Sequence, residues 1–304
     1  MDLEERVGPS TLILGEGGAE AITSMVTSVK EAGFKTIEIC PAQFQSVEPL
    51  TNSSLLKKLF GEAERRRLRE VLRPFHVVTV HGSSYWVTKI RGGDKEELWE
   101  PYFELMRFAH DINAQIVSFH PLQRSESADI SNDEMFEYNI EFGKKAVEYA
   151  DELNLTAAFE NMPRNGCWSL LTKINDVIDR VGSERFGFLF DIGHAVLQSG
   201  ESFRDPTSHV LKALEQCVDN TLQIHSHGIQ RSQNFQTGLK DHRPLDESNI
   251  VDYSKITRLL QNKKYHGPII FEIYFKNAID KRASFQDNLE ACISAKHELI
   301  RYWI

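Results

Sequence analysis

Phe186-Gly187-Phe188-Leu189-Phe190-Asp191-Ile192-Gly193-His194 is a short aromatic run that ends on a carboxylate, with a histidine three residues further on. The same pattern stands upstream in Ala157-Ala158-Phe159-Glu160-Asn161-Met162-Pro163 and downstream in Gln223-Ile224-His225-Ser226-His227-Gly228. Each run reads as a short strand, and each terminates in a group able to bind a metal or move a proton. Working outward, strand-like runs recur at Thr11 to Leu14, Thr36 to Cys40, Val77 to Val80 and Ile116 to Phe119. Four more follow at Thr156 to Phe159, Phe186 to Phe190, Leu222 to Ile224 and Ile269 to Ile273. Between them lie segments of helical periodicity such as Ala19 to Ala32, Glu96 to Ile112, Asn132 to Leu153 and Asp287 to Tyr302. Ser131-Asn132-Asp133-Glu134 carries a helix-capping signal.

This alternation predicts an α/β chain whose eight parallel strands close into a (β/α)8 TIM barrel, organised as a single domain over residues 1–304. A doubly wound open sheet is the competitor. Its phosphate loop would follow the first strand as G-x-G-x-x-G, and Gly15-Glu16-Gly17-Gly18 matches only in part and reads as a turn. A hydrophobic content of 41% can bury a core, which excludes a disordered chain. No apolar run reaches the roughly 18 residues needed to cross a bilayer. The charged start, Met1-Asp2-Leu3-Glu4-Glu5-Arg6, lacks the apolar stretch of a secretory signal. Cys40, Cys167, Cys217 and Cys292 are scattered, which fits reduced thiols in a cytoplasmic protein rather than a disulfide framework. With 44 acidic against 35 basic residues the net charge is -9, which argues against a protein whose main business is coating nucleic acid.

A barrel of this kind carries its chemistry at the C-terminal ends of its strands. Glu38, His81, His120, Glu160, Asp191, His225 and Glu272 end the second to eighth strands, with His194 after Asp191 and His227 after His225. Any one of them alone would ordinarily be a satisfied polar group at a strand end. In succession they converge on one rim, where packed carboxylates repel and a divalent cation is the simplest neutraliser. Mixed imidazole and carboxylate donors suit Zn or Mn, with Mg or Co as further options, and are too rich in nitrogen to favour Ca.

These motifs resemble the xylose-isomerase-like TIM barrels, a group containing sugar epimerases, keto-sugar isomerases and endonuclease IV. The resemblance spans essentially the whole chain. It rests most on Glu160-Asn161-Met162-Pro163, Asp191-Ile192-Gly193-His194 and the His225 segment, in that order. It implies one divalent ion held by Glu160, Asp191, His225 and Glu272, with Glu160 and Glu272 doubling as the catalytic acid/base pair. It further implies substrate binding by His194, Arg231 and Glu38, and proton transfer through a metal-stabilised enediolate of a sugar or sugar phosphate. The endonuclease IV branch implies additional ions at His81, His120, His194 and His242, and hydrolysis of a phosphodiester at an abasic site.

The chain departs from the family pattern in three places. Gly228 stands where strand seven often has an Asp, D-x-H contracts to Asp241-His242, and the L-G-E-G turn reads Leu245-Asp246-Glu247-Ser248. A single-metal epimerase does not need His81 and His120, which favours the nuclease, but members of the isomerase branch carry them too. Duplex DNA would draw on Lys89, Arg91, Arg124, Arg164, Arg231 and Arg243, with Tyr85 and Trp86 to stack, whereas one sugar needs one or two such groups. Isomerase or epimerase is the preferred reading and nuclease the alternative, with a small sugar rather than nucleic acid or membrane as partner. A non-catalytic sugar-binding barrel would not need Glu160 and Glu272 aimed at one ion. The run Glu62-Ala63-Glu64-Arg65-Arg66-Arg67 reads as a solvated helix face.

Overall fold

The computed structural model describes residues 1–11, 19–41, 56–57, 60–82, 86–87, 95–124, 130–163, 171–198, 204–232, 238–274 and 284–303. Eight strands form the barrel: β1 Val7–Pro9, β2 Thr36–Ile39, β3 Val77–His81, β4 Ile116–Phe119, β5 Thr156–Glu160, β6 Phe186–Asp191, β7 Thr221–Ser226 and β8 Ile269–Phe271. Neighbours in sequence are neighbours in the sheet, and all pair in parallel. A parallel bridge between Ser10 and Glu38 joins the two ends and closes the ring. Among the described residues no helix is long and apolar enough to cross a membrane. Cys40, Cys217 and Cys292 are buried and form no disulfide, and Cys167 lies outside the described residues.

The strand that pairs with β2 and β8 is Val7–Pro9, ahead of the apolar run that begins at Thr11. Gly8 and Pro9 are both poor strand formers, yet each has a place here. A Cβ on Gly8 would lie 1.9 Å from the Thr36 carbonyl oxygen, so only glycine lets β1 and β2 approach this closely. Pro9 offers no N–H, and the bond to β8 is made by the next residue, Ser10 N–H to Phe271 O at 3.0 Å. Thr11 lies past the strand and accepts from Cys40 N–H at 2.7 Å; residues 12–14 and the glycine turn at 15–18 lie outside the described residues.

Side-chain alternation along the strands explains why the site is polar while the protein is held by an apolar core. Ile37, Ile39, Val78, Val80, Val117, Phe119, Phe159, Phe188, Phe190 and Phe271 belong to one buried cluster with the helices. The alternate positions of the same strands carry Glu38, Thr79, His81, Ser118, Glu160, Asp191, Gln223 and His225, all buried. The long helix Asn132–Leu153 begins as its sequence signal predicts: Ser131 Oγ accepts from Glu134 N–H at 3.1 Å, and Glu134 Oε2 accepts from Ser131 N–H at 2.8 Å.

The charged run at 62–67 is only in part a solvated face. Arg65, on helix Glu62–Leu72, turns toward helix Lys95–Asp111, where Nη2 meets Glu104 Oε1 at 2.6 Å and Nη1 meets Asp111 Oδ2 at 2.8 Å. Arg107 Nε adds a bond to Glu104 Oε2 at 2.9 Å. Burial alone would raise the Glu104 carboxyl, but the two guanidinium groups outweigh it and hold it below the ordinary value. Glu104→Ala leaves the two cations without their shared partner, and is expected to cost about 3–5 kcal/mol in urea unfolding. Ionised Glu104 stabilises the fold above the unfolded carboxyl range, near about pH 4.3, and loses that contribution as pH falls through its lower folded value. The stability gap between wild type and Glu104→Gln should therefore narrow on acidification below about pH 4.

Candidate metal centre

Asp191 closes β6 and at once caps the helix Ile192–Leu197, its Oδ1 accepting the His194 N–H at 2.5 Å. Asn161, just after Glu160, ties the ends of β5 and β6 together. Its Nδ2 donates to Asp191 O at 2.9 Å and its Oδ1 accepts Asp191 N–H at 2.7 Å. Asp191 and His225 are register partners across β6 and β7, and Ser226 pairs with Phe271, the residue before Glu272. The strand pairing thereby aligns the donors at one end of the barrel.

At the centre is His225, fully buried. Its Nδ1 lies 3.3 Å from Glu272 Oε2, 3.6 Å from Glu160 Oε1 and 3.8 Å from Asp191 Oδ2. Its Nε2 lies 3.0 Å from Glu38 Oε2, which also accepts from Gln223 Nε2. Glu38 thus sits beneath the site as the carboxylate partner of His225, with no exposure to solvent, rather than facing a substrate. Burial would lower His225, but Glu272 and Glu38 outweigh it and raise it well above its ordinary value. Without an ion, Nδ1 therefore carries a proton facing three carboxylates; an ion there would take that proton's place while Nε2–H stays on Glu38. Glu160, Asp191, His225 and Glu272 offer ligand atoms all within 4.8 Å of one another. His225 Nδ1, both Glu160 oxygens and Glu272 Oε1 are buried without a well-formed hydrogen bond. Orphaned buried polar atoms on converging side chains are what a cation site looks like from its protein side, so the donor set fits a divalent ion.

Three further donor groups adjoin this one: Glu38, His81 and His225, sharing His225 with it; His81, His120 and Glu160; and His194, Asp241 and His242. Glu160 Oε2 is 2.8 Å from His120 Nε2 and 3.4 Å from His81 Nε2. Second nitrogens are anchored in His81, by Ser118 Oγ at 2.9 Å, in His194, by Asn161 O at 2.9 Å, and in His242, by Glu272 O at 3.0 Å. Each anchor holds the Nδ1–H and leaves Nε2 free to face the site. An antiparallel hairpin, Gly228–Arg231 with Leu239–Arg243, brings Asp241 and His242 over the barrel mouth, so the shortened spacing still delivers both. Arg231 stands exposed at the end of that hairpin strand, not among the buried donors. Tyr274 is 42% exposed and stacks on the His242 ring at 4.2 Å, giving the mouth an aromatic wall. Lys89, Arg91, Arg164 and Tyr85 lie outside the described residues, as do the side chains of Trp86 and Arg124.

Opposed charges set the electrostatics. Burial would lower His194, but the Asp191 and Glu160 carboxylates outweigh it and raise it to about 10. Burial would likewise raise Glu272, yet His225, His81 and His242 hold it down to about 2. Glu160 and Asp191 are lowered for the same reason, against burial, chiefly by His120 and His194 respectively. His81 goes the other way, burial pushing it below its ordinary value. All three carboxylates are therefore ionised at neutral pH.

Gln223, Ser118, Asn161 and His227 are members of this network that strand-end reasoning left without a role. Gln223 and Ser118 had a weak signal, being polar at inward positions of otherwise apolar strands.

The family model described as a xylose isomerase-like TIM barrel matches residues 26–295. No curated protein shows a significant sequence match. Among solved structures, a D-psicose 3-epimerase with D-tagatose from Clostridium cellulolyticum H10 superposes with a TM-score of 0.73 at 11% identity, over 98% of this chain and 99% of that one. An L-ribulose 3-epimerase gives 0.65 at 16% identity, over 98% and 94%. A probable 3-DHS dehydratase from Bacillus anthracis gives 0.60 at 19% identity, over 90% and 92%. At these identities the likeness establishes the shared fold.

Proposed function

The chain belongs to the xylose isomerase-like TIM barrel family, and from that premise we propose that it is a divalent-metal-dependent isomerase or epimerase of a sugar or sugar phosphate. The observation that carries this reading is the convergence of Glu160, Asp191, His225 and Glu272, with orphaned acceptors, on one point. These four would hold the ion, Zn or Mn by the donor types. A bound divalent ion would polarise a carbonyl and neighbouring hydroxyl, acidifying the C–H between them. Glu272 and Glu160 would flank such a carbon: one, ionised, would remove the proton, and the other, once protonated, would return one to the opposite face. His194, whose Nδ1–H is committed to Asn161 O, presents Nε2 to a substrate hydroxyl. Exposed Arg231 is suited to a phosphate at the mouth. The test is incubation of metal-loaded protein with a panel of ketoses and ketose phosphates in deuterated water. Incorporation beside the carbonyl is expected, and a panel with no exchange would overturn the reading.

The flanking donor groups around His81, His120 and His242 favour a second reading, hydrolysis of an abasic-site phosphodiester by several ions. It expects cleavage of an abasic duplex with a steep salt dependence. It also expects more than one metal per chain, falling in the His81→Ala/His120→Ala double variant. Equal metal content in the double variant and wild type would leave these histidines to substrate or core.

A further inference from the structure

His227 is fully buried, and it spends both ring nitrogens inside the protein. Nδ1 lies 2.8 Å from the backbone N of His242. A backbone N–H can only donate, so Nδ1 accepts, and the ring proton of the neutral imidazole sits on Nε2. That proton points at Asp191 Oδ2, 3.3 Å away. With the His194 N–H on Oδ1, both oxygens of Asp191 are pinned and its rotamer is fixed. On the other side His242 holds a left-handed backbone, φ 50°, uncommon for a residue with a side chain. Its ring lies on that of His227 at 4.1 Å and 24°, and its N–H bond to His227 holds the turn in place. Surroundings lock His227 in turn. Tyr253 Oη donates to the His227 carbonyl at 2.8 Å, and Gly193 leaves the ring its room, since a Cβ there would fall 1.9 Å from His227 Cε1.

The geometry points to His227 as a positioning residue that aims Asp191 into the central donor set while holding His242 in the neighbouring one. It is no ligand itself, having no nitrogen to spare. This rests on the reading of the central set as a cation site. Mutations of partners that orient a ligand typically cost about 10–100-fold in metal affinity. The two arms can be separated by substitution. His227→Gln keeps an N–H able to reach Asp191 but loses the acceptor at the Nδ1 place. His227→Asn keeps an acceptor near the Nδ1 place but has no donor that reaches Asp191.

The experiment titrates the metal-stripped full chain with Co2+, following its visible absorption bands. His227→Asn is expected to weaken binding at the central set by about 10–100-fold and to shift those bands, while His227→Gln restores affinity close to wild type. Equal affinity and identical bands in all three proteins would overturn the inference, as would equal loss in both variants. Wild type that binds no Co2+ would remove the cation reading and the positioning role with it, a different outcome from wild-type binding with silent variants. Should His227→Asn not fold, 15N-histidine NMR of the wild type decides. A proton on Nε2 with bare Nδ1 is expected, and a proton on Nδ1 would refute the assignment.

Discussion

Glu272→Gln is expected to lower substrate-proton exchange by roughly two to four orders of magnitude while the protein keeps its fold and most of its metal. Glu272 is in the form that can accept a proton in this site. It is ionised at neutral pH, held down to about 2 by His225, His81 and His242 against burial, and its Oε1 is buried without a hydrogen bond. Glutamine has the same shape and retains one oxygen, so its effect isolates the loss of a proton acceptor from the loss of a donor atom. The check is solvent deuterium incorporation into candidate ketoses, run alongside elemental analysis of the same preparations. Exchange at the wild-type rate would move the base to another group, with Glu160→Gln as the next variant to measure.

Asp191→Ala should act on metal rather than on chemistry, reducing bound ion from stoichiometric to background. Four donors from four adjacent strands make a nearly closed shell, and removing one opens it to water. Asp191 is fully buried and also caps the helix that carries His194, so alanine should further cost about 1 kcal/mol of stability. Asp191→Asn retains the capping oxygen but surrenders the charge, and should lose metal with less loss of stability. Metal analysis and urea unfolding of the two variants separate these effects. Undiminished metal in Asp191→Ala would show that the ion, if held, sits in one of the flanking groups.

Much of this was legible in the sequence because the barrel turns a linear rhythm into a ring. Seven strands fall where their β-branched and aromatic runs predict, and the groups at their ends do converge. β1 escaped because local propensity opposes it: Gly8 and Pro9 are tolerated by a close approach to Thr36 and by a ladder bond taken over by Ser10. Glu38 reads at the sequence level like any other strand-end acid. Only register reveals that it lies a layer deeper, against His225 Nε2. Asp241 and His242 were readable as a variant of a known spacing. That they reach the site depends on a hairpin and a left-handed residue that no period announces. His227 stands two residues after His225, just past β7, and nothing in the pattern tells a donor from a residue that would aim one. Arg65 shows the same limit at the surface, where a charged run hides one member turned inward.

β1 lies against β8, Val7 opposite Ile269, so two segments far apart in the sequence are paired side by side in the ring. A chain emerging from the ribosome makes β1 first and must leave one of its edges bare until β8 follows. Such non-local pairing is slow to form, since the entropy of closing the loop comes before any contact rewards it. Glu272 arrives with β8, so no nascent chain owns the full donor set while Glu160, Asp191 and His225 wait on their strands. On the proposed reading of the site, ion capture would then follow closure of the ring and would favour the finished molecule over every incomplete one.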